Sequence, residues 1–290
     1  MMQPVLTASI VLYQNEPRII TRAIESFLAC REAHRLYVID NSPTNLLQQY
    51  CANERITYLL NRHNLGYGRA HNLALSRCLE NSTYHIVLNP DVYFSPDVIR
   101  QLVQFMNSNH HVGLCMPKVR YPDGSLQPLC KLLPTPFQLF MRRFLSFYPG
   151  LLTKLNHEYE MHFSGYNHVM EVPFLSGCFM FLRMEAVRIA GLFDEKFFLY
   201  AEDADLSRKI HKHFSTVFYP YAEIYHEHGR GSYQDFRLLL HNILSAIKYF
   251  NKWGWVNDKE RKVINDKILK KYRVNGYASL RRNEPKRIRS

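Results

Sequence analysis

The chain has 290 residues, of which 47% are hydrophobic, with 19 tyrosines and 18 phenylalanines. This composition excludes an intrinsically disordered chain, and the length suits one large α/β domain with an appendage. The six cysteines have no C-x-x-C spacing, which indicates buried reduced thiols and neither a zinc knuckle nor a disulfide framework. The N-terminal sequence has no basic leader or cleavage site, and no segment has the length of a membrane span, so we expect neither secretion nor membrane insertion.

The net charge of +12 is concentrated at one end of the chain. Residues 1–229 contain 21 Lys and Arg against 20 Asp and Glu, whereas residues 230–290 contain 16 against 5, so +11 belongs to the C-terminal region. A strongly basic end attracts anions, and its partner is then a nucleic acid or an anionic membrane.

Strands and helices alternate along the first 90 residues. Apolar runs predict strands at residues 5–13, 35–39, 56–60 and 84–88, and helices run to about Cys30 and through Leu79. Such alternation predicts an α/β fold with a Rossmann-like, mostly parallel, doubly wound sheet and flanking helices.

The rest of the chain is less regular. Between about residues 128 and 169 the periodicity weakens, which indicates a variable connection or short helices over a cleft. Regular patterns return with a strand at 175–182, a helix from Met184, and strand segments at 216–219 and 222–225.

Polar clusters follow the ends of four predicted strands. They are Asn15, Asp40-Asn41, Asn64 to Gly68, and Asn89 to Asp91. In doubly wound sheets ligands bind beyond the carboxyl ends of the strands, so we expect these four loops to meet at one rim.

Asn89-Pro90-Asp91 is a candidate metal-binding loop. A carboxylate at a strand end suits a hard divalent cation, Mg²⁺ or Mn²⁺, that bridges two phosphates. The alternative is a simple turn that precedes a helix capped by Ser95.

Three acids within four positions, Glu202, Asp203 and Asp205, open another helix. Acids in a first turn complement the helix dipole, which would explain them without any function. The preceding run is aromatic and apolar, however, so we expect at least one carboxyl group to be partly desolvated and suited to general base work.

The segment Tyr-His-Glu-His-Gly-Arg-Gly-Ser at residues 225–232 is a candidate anion site. We expect only one of the two histidines that flank Glu227, His226 or His228, to reach a shared metal. A histidine, Arg230 and small glycines suit a diphosphate, although a lone histidine is more often structural.

Taken in order, seven motifs resemble those of the family 2 inverting glycosyltransferases, over about residues 5–255. They are SIVLYQN, VIDNS, NLGYGRAHN, LNPDV, FLSGCFMF, GLFDEKFFLYAEDADLSRKI and IYHEHGRGS. Within that family the chain is most similar to bacterial rhamnosyltransferases of surface-polysaccharide assembly.

This resemblance implies a GT-A fold over residues 1–232. A nucleotide-binding half covers about residues 1–125 and an acceptor half about 126–232, and a basic amphipathic helical region follows at 233–290. It implies transfer of a sugar, L-rhamnose from dTDP-L-rhamnose, to an oligosaccharide or lipid-linked glycan in the synthesis of O-antigen, capsule or lipopolysaccharide core.

The resemblance also implies roles for individual residues. Those on the donor side are Tyr13 and Asp40 for base and ribose, Asn64, Gly66 and Asn72 for the shape of the pocket, and Arg230 for the diphosphate. Asp91 and His226 would bind Mg²⁺ or Mn²⁺, and Asn89 replaces the first acid of the usual Asp-X-Asp motif. Asp203 would be the base, oriented by Glu202 or Asp205.

The C-terminal region suggests a membrane contact. Apolar residues at helical spacing between Phe236 and Phe250, beside lysines and two tryptophans, suit an interfacial helix at an anionic bilayer. We therefore expect a cytoplasmic enzyme, peripheral on the inner face of the plasma membrane, with no nucleic acid partner. The alternative for this stripe is packing against the catalytic domain.

Two other classes of protein share some of these sequence features. A nucleic-acid-binding protein would also use basic and aromatic residues, although no groove-reading motif is present. A nucleotidyltransferase would share the sheet and the metal but should have a glycine-rich basic first loop, where this chain has Tyr-Gln-Asn-Glu-Pro.

Overall fold

The structure is a computed structural model that describes residues 5–139, 149–227 and 236–282. The main helices are α1 (Pro17–Leu28), α2 (Tyr67–Cys78), α3 (Pro96–Ser108), α4 (Pro149–Tyr159), α5 (Met184–Ala190), α6 (Glu202–His211), α7 (Phe236–Trp253) and α8 (Lys259–Arg282). The strands are β1 (Leu6–Leu12), β2 (Ala33–Asp40), β3 (Ile56–Leu60), β4 (Tyr84–Leu88), β5 (Val92–Tyr93), β6 (Val112–Arg120), β7 (Cys130–Lys131), β8 (Met170–Glu171), β9 (Phe174–Leu175), β10 (Phe179–Arg183) and β11 (Ser215–His226).

Within the described ranges, nine strands form a central sheet in the order β3-β2-β1-β4-β10-β6-β11-β5, with β8 also paired to β11. The strands β3, β2, β1 and β4 are parallel, and so are β6 and β11. The strand β10 runs antiparallel between β4 and β6. The carboxyl ends of β1 to β4 and of β11 therefore lie at the same edge of the sheet as the start of β10.

Burial explains why the central segments are strands. Every residue of β4 and of β10 is buried, as expected for strands that are covered on both faces. The helices α1 and α3 each begin with a proline in the first turn and bury apolar residues at helical spacing. The predicted α/β class with a mostly parallel sheet is confirmed.

Two predicted strands differ in detail from the structure. The predicted strand at 175–182 is divided into β9 and β10, which belong to different sheets, because the N–H of Gly177 donates to the side chain of Asp203. Conversely, the predicted segments 216–219 and 222–225 form one strand, β11, whose register shifts between Tyr219 and Glu223. This irregularity accommodates Pro220, since bulges tolerate a residue without an N–H.

The helices α7 and α8 pack on α6 and on the loop that precedes it. Arg208 of α6 is almost fully buried and binds both carboxylate oxygens of Asp258, at 2.6 and 2.7 Å. Ser245 of α7 donates to the carbonyl of Leu199 at 2.8 Å. The expected boundary between residues 232 and 233 lies outside the described residues.

All six cysteine thiols are buried and none forms a disulfide, as expected. None of the helices in the described part of the chain combines the length and the apolar character that crossing a bilayer requires.

Candidate active site

The polar loops at the carboxyl edge of the sheet are joined by hydrogen bonds, as the sequence predicts. Asn41 donates its side-chain amide to Asn64 at 3.3 Å and to the carbonyl of Gly66 at 3.2 Å. Asn61 donates to the side chain of Asn41 at 2.8 Å, and the N–H of Gln14 donates to Ser42 at 2.8 Å. The loops after β1, β2 and β3 thus form one connected rim.

Gly66 begins α2 in a conformation that requires glycine. Its φ is +82°, and a Cβ at this position would lie 2.2 Å from the carbonyl oxygen of Phe198. The N–H of the next residue, Tyr67, donates to that same carbonyl at 2.8 Å. The close approach ties the rim to the loop that leads into the acidic helix α6.

The other predicted donor-side residues have unequal exposure. Tyr13 is 50% exposed and available to a ligand, whereas Asp40 is fully buried. Asp40 accepts hydrogen bonds from the N–H of Ser42 at 2.8 Å and from the hydroxyl of Tyr58 at 2.6 Å. In this conformation Asp40 fixes the loop that follows β2.

Asn72 contacts the loop that precedes α6. Its buried amide donates to the carbonyl of Phe193 at 2.9 Å and accepts from the N–H of Phe193 at 3.0 Å. Both bonds link α2 to the loop before α6. Asn72 therefore supports the pocket through the position of that loop.

Asp91 and His226 meet although 135 residues separate them in sequence. The strand β5 follows Asp91 directly and pairs with the end of β11, so that Val92 lies opposite His226. The Oδ1 of Asp91 is 3.3 Å from the Nε2 of His226, which is buried. Glu227 points elsewhere and pairs with Arg22. The structure thus brings together the two predicted metal ligands.

Gln127 determines which nitrogen of His226 carries a proton. The Nε2 of Gln127 donates to the backbone carbonyl of His226 at 2.8 Å, which orients the amide and leaves its Oε1 3.0 Å from Nδ1. Because this amide oxygen can only accept, Nδ1 carries the hydrogen. With Nδ1 bonded to Gln127, Nε2 is the ring nitrogen that faces Asp91.

This arrangement fits a divalent cation. A carboxylate oxygen and an imidazole lone pair that face each other are electron-rich ligands that an ion would hold together. Asn89 turns its Oδ1 the other way, towards the hydroxyl of Tyr67 at 3.0 Å, so its amide oxygen does not join them. Over the residues that the structure describes, no three His, Cys, Asp or Glu side chains converge on one point.

Glu202 and Asp203 are adjacent but have different surroundings. Glu202 is buried, and its Oε2 has no hydrogen-bond partner among the described residues. Asp203 is half-buried and accepts from the N–H of Gly177 at 2.9 Å and from the N–H of Ala204 at 2.8 Å. The expected partly desolvated carboxyl group is therefore present.

Charge separates the two acids further. Burial, together with the negative charge of Asp203, raises the pKa of Glu202. Burial also raises the pKa of Asp203, but the N–H of Gly177 and the cation of Lys131 oppose this shift. The N–H of Gly177 and the cation of Lys131 therefore favour the ionised form of Asp203, whereas burial without such donors favours the neutral form of Glu202, whose pKa is raised to about 8.

Tyr67 connects the two acidic groups. Its hydroxyl lies 3.0 Å from Oδ1 of Asn89 and 2.7 Å from the carbonyl oxygen of Gly177. Burial, followed by the charges of Glu202, Asp203 and Asp91 among its neighbours, raises the pKa of Tyr67 well above its usual value. Tyr67 is thus a neutral spacer between the Asp91 loop and the turn that holds Asp203.

A cavity of about 290 Å³ opens beside Asp203 and Glu202 and is also lined by Lys131, Tyr159 and residues of α7. The two residues that precede α6, Tyr200 and Ala201, both line it and both have left-handed φ angles, 71° and 65°. Non-glycine residues in this conformation are strained, and such strain is concentrated at functional sites.

Asp205 does not face this cavity. It is fully buried and accepts hydrogen bonds from Lys252 at 2.9 Å and from the indole N–H of Trp253 at 2.7 Å. Asp205 therefore anchors α7.

Three residues of the site were not singled out from the sequence. Tyr67 lies within the motif NLGYGRAHN. Gln127 and Lys131 lie at and beyond the point where the periodicity weakens, and no local pattern marks them. Arg230, predicted to bind the diphosphate, lies outside the described residues, as does His228.

Comparisons with known proteins identify similar glycosyltransferases. The chain is 27% identical over 265 residues to N-acetylglucosaminyl-diphospho-decaprenol L-rhamnosyltransferase of Mycobacterium tuberculosis, which covers 86% of this chain and 84% of that protein. It is 26% identical over 198 residues to rhamnosyltransferase WbbL of Escherichia coli, which covers 66% and 71%.

Among solved structures, the mannosyltransferase PcManGT from Pyrobaculum calidifontis in complex with GDP-Man and Mn²⁺ superposes with a TM-score of 0.57 at 14% identity, over 98% of this chain and 77% of that one. At this identity the likeness concerns the fold, which is GT-A in both. The family model for glycosyl transferase family 2 matches residues 9–188. The chain therefore belongs to glycosyl transferase family 2.

Proposed function

We propose that this glycosyltransferase transfers L-rhamnose from dTDP-L-rhamnose to a glycan or lipid-linked acceptor in the synthesis of bacterial surface polysaccharide, with inversion at the anomeric carbon. The two rhamnosyltransferase relatives support the choice of sugar. The observation that carries the chemistry is the half-buried Asp203 carboxylate, which borders a cavity and is linked through Tyr67 to the Asp91 loop.

The donor nucleoside would bind along the rim formed by the loops after β1, β2 and β3. Tyr13 offers an exposed ring, and the hydrogen-bonded loops that contain Asp40, Asn64 and Gly66 form the wall of the pocket. A wall already fixed by internal hydrogen bonds loses little entropy when a ligand binds.

Asp91 and His226 would hold a divalent cation, Mg²⁺ or Mn²⁺, with donor phosphate oxygens as further ligands. When bound, the cation supplies positive charge to the diphosphate as it leaves. Arg230 would add a second positive charge on the same side.

Asp203 would act as the general base. Its carboxylate accepts the proton of the acceptor hydroxyl. The oxygen of that hydroxyl attacks C1 of the donor sugar as the bond from C1 to the diphosphate breaks. The electron pair of that bond leaves with the nucleoside diphosphate, and the configuration at C1 is inverted in one displacement. Neutral Glu202 would form a hydrogen bond with bound sugar, which would satisfy its unpartnered Oε2.

The expected location is the cytoplasm, at the inner face of the plasma membrane. The Mycobacterium tuberculosis relative is named for an acceptor linked to decaprenyl diphosphate, and a lipid-linked acceptor of this kind would lie at a membrane surface. The basic C-terminal region supports contact with anionic lipids.

A panel of donors tests the proposal. The purified protein is incubated with dTDP-L-rhamnose, UDP-N-acetylglucosamine or GDP-mannose, with a polyprenyl-diphosphate N-acetylglucosamine acceptor, and with Mg²⁺, Mn²⁺ or EDTA. We expect acceptor-dependent release of dTDP from dTDP-L-rhamnose and little from the others. Turnover of another donor alone would refute the assignment of L-rhamnose as the donor sugar. Full activity in EDTA would show that the reaction needs no metal.

The family match favours a glycosyltransferase over the two other classes weighed from the sequence. A nucleic-acid-binding protein or a nucleotidyltransferase has no specific observation in its favour.

A further inference from the structure

The helix α7 carries apolar residues on two sides. On its inner side Tyr249 and Phe250 are buried against Phe197 and Ala204. On its outer side five large apolar residues are between 38% and 77% exposed: Phe236, Leu240, Ile243, Leu244 and Ile247. We call these five residues the outer stripe.

The outer stripe is a single continuous face. Its members follow at intervals of four, three, one and three residues, which keeps them on one side of a helix. With a rise of 1.5 Å per residue, the stripe from Phe236 to Ile247 is about 17 Å long. Exposed apolar residues normally occur singly, whereas a contiguous apolar face marks an interaction surface.

The charges around the stripe favour an anionic partner. The sequence of α7 contains no Asp or Glu, and Arg237 and Lys248 are both exposed and lie along one flank of the stripe. The Nζ of Lys248 donates to the neutral carbonyl of Lys196 at 2.7 Å, so that bond does not neutralise its charge. Lys252 differs, because it is paired with Asp194 and Asp205.

Two further apolar residues follow the end of the helix. Trp255 is 45% exposed, its ring lies 5.3 Å from that of Phe250, and the neighbouring Val256 is also exposed. An exposed indole with an apolar body and a polar N–H suits the boundary between lipid and water.

The same helix borders the cavity beside Asp203. Leu239, Asn242 and Ala246 line that cavity, while Leu240, Ile243 and Ile247 lie on the outer face. Because α7 carries both the outer stripe and part of the cavity lining, a membrane in contact with the outer stripe would lie next to the cavity. An acceptor anchored in that surface would reach Asp203 by a short path.

We propose that the outer stripe of α7, with Lys248 beside it, docks on an anionic membrane and holds the cavity at the bilayer surface. An amphipathic helix of this kind inserts its apolar face at the boundary between head groups and acyl chains, and its cations bind anionic head groups. The idea that docking brings a lipid-linked acceptor to the cavity rests on the proposed function. The idea that the outer stripe binds a membrane does not.

The first test measures vesicle binding by flotation with the full chain. Vesicles of phosphatidylcholine are compared with vesicles of phosphatidylcholine and phosphatidylglycerol. We expect binding to the mixed vesicles, and at least about tenfold weaker partition for the triple variant Leu240→Ser, Ile243→Ser, Ile247→Ser. All three positions are exposed, so the variant should fold.

A matched control carries Val169→Ser, Ile189→Ser and Tyr221→Ser, three exposed apolar residues on other elements. It should bind vesicles like the unmodified chain. Equal binding by the two triple variants, or no binding of the unmodified chain to mixed vesicles, would overturn the proposal. So would sedimentation that shows a dimer abolished only by the α7 variant, since a second copy would then cover the stripe.

The second test separates this surface from the catalytic proposal. The α7 variant should lose transfer to a polyprenyl-linked acceptor in mixed vesicles by at least about tenfold and keep transfer to a short-chain acceptor in solution. Loss of both activities would place α7 in catalysis and overturn the docking role. If the unmodified chain transfers no sugar at all but still binds vesicles through α7, the proposed function fails and the membrane surface stands.

Discussion

Asp203 and Glu202 are neighbours in sequence, yet their carboxyl groups differ in hydrogen bonding and exposure. Asp203 accepts from two backbone N–H groups and is half-buried, whereas Glu202 is buried with one oxygen unpartnered. Donors directed at a carboxylate stabilise its ionised form. The structure therefore distinguishes the two carboxyl groups, which the run of acids in the sequence does not, and this difference supports the proposal that Asp203 is the base.

Replacing Asp203 with Asn should remove the proton acceptor and preserve the shape of the site. We expect Asp203→Asn to reduce transfer by at least about 10²-fold and to leave donor binding unchanged, because a general base contributes about 10²–10⁴ to the rate. Acceptor-dependent release of nucleoside diphosphate measures the first and calorimetric titration the second. Glu185→Gln, an exposed change on α5, is the control; undiminished transfer by Asp203→Asn would refute the assignment.

Gln127 should act on metal binding through His226. Removing its side chain frees the imidazole to rotate and to change its protonated nitrogen, and loss of such an outer partner costs about 10- to 100-fold in metal affinity. We expect Gln127→Ala to weaken Mn²⁺ binding by that factor when nucleoside diphosphate is present, measured by electron paramagnetic resonance. Gln104→Ala, on the exposed side of α3, should have no effect. Equal affinities for both variants would show that Gln127 has no such role.

At the scale of elements, the start of α2 and the loop before α6 are held at a fixed separation. Gly66 and Tyr67 both contact the carbonyl of Phe198, one by close approach and the other by a hydrogen bond. The rim formed by the loops after β1, β2 and β3 is therefore held against the loop that leads into α6.

A pair of glycine substitutions tests that junction. Gly124 has nearly the same φ as Gly66, +84° against +82°, but a Cβ there meets nothing within 4 Å. Gly124→Ala should cost only the conformational penalty, about 1–2 kcal/mol. Gly66→Ala adds the clash with Phe198 and should cost at least about 2 kcal/mol more, with weaker nucleotide binding. Urea unfolding measures the free energy of unfolding of both variants. An equal decrease in the two would show that the structure relieves the clash with Phe198.

The buried pair between Arg208 and Asp258 joins α6 to the start of α8. Asp258 also accepts from the N–H of Arg261 at 2.9 Å, as a residue that caps a helix does. Asp258→Ala should destabilise the protein by about 3–5 kcal/mol, because it leaves the Arg208 charge buried with one partner fewer. The exposed pair of Arg100 and Asp97 is the control, and Asp97→Ala should cost less than about 1 kcal/mol. Thermal unfolding measures the loss of stability in both variants. Equal losses for Asp258→Ala and Asp97→Ala would show that burial does not increase the contribution of the ion pair.

At the scale of the whole molecule, the chain combines a nearly neutral catalytic part with a basic C-terminal region. Apolar contacts resist salt, whereas contacts with phosphates are screened within a Debye length of about 10 Å at 0.1 M salt. A surface that combines the outer stripe with basic residues should therefore respond to salt in two parts.

We expect binding of the full chain to mixed anionic vesicles to fall as salt increases and then to level off above zero. Binding to duplex DNA, which depends on counterion release, should fall to the baseline over the same range. Flotation and a fluorescence anisotropy titration at matched salt concentrations measure the two. DNA binding that outlasts vesicle binding would favour the nucleic-acid alternative.

Much of the fold could be predicted because its elements have local causes. The strands β3 and β4 have the predicted bounds, and α2, α5 and α6 begin or end within a residue or two of expectation. Prediction was poorer where an element depends on distant partners. The run at 175–182 divides because Gly177 bonds to Asp203, and the stripe of α7 is divided into buried and exposed faces by its position against α6.

The sequence by itself determined the family, the order of the strands and helices, and the residue types at the carboxyl edge of the sheet, because periodicity and turn chemistry act over a few residues. Only the tertiary structure decided which of these residues meet. It brought Asp91 to His226 through β5, placed Gln127 behind that histidine, and turned Asp205 towards α7. These contacts depend on strand pairing and helix packing across more than 40 residues of chain, which local patterns do not encode.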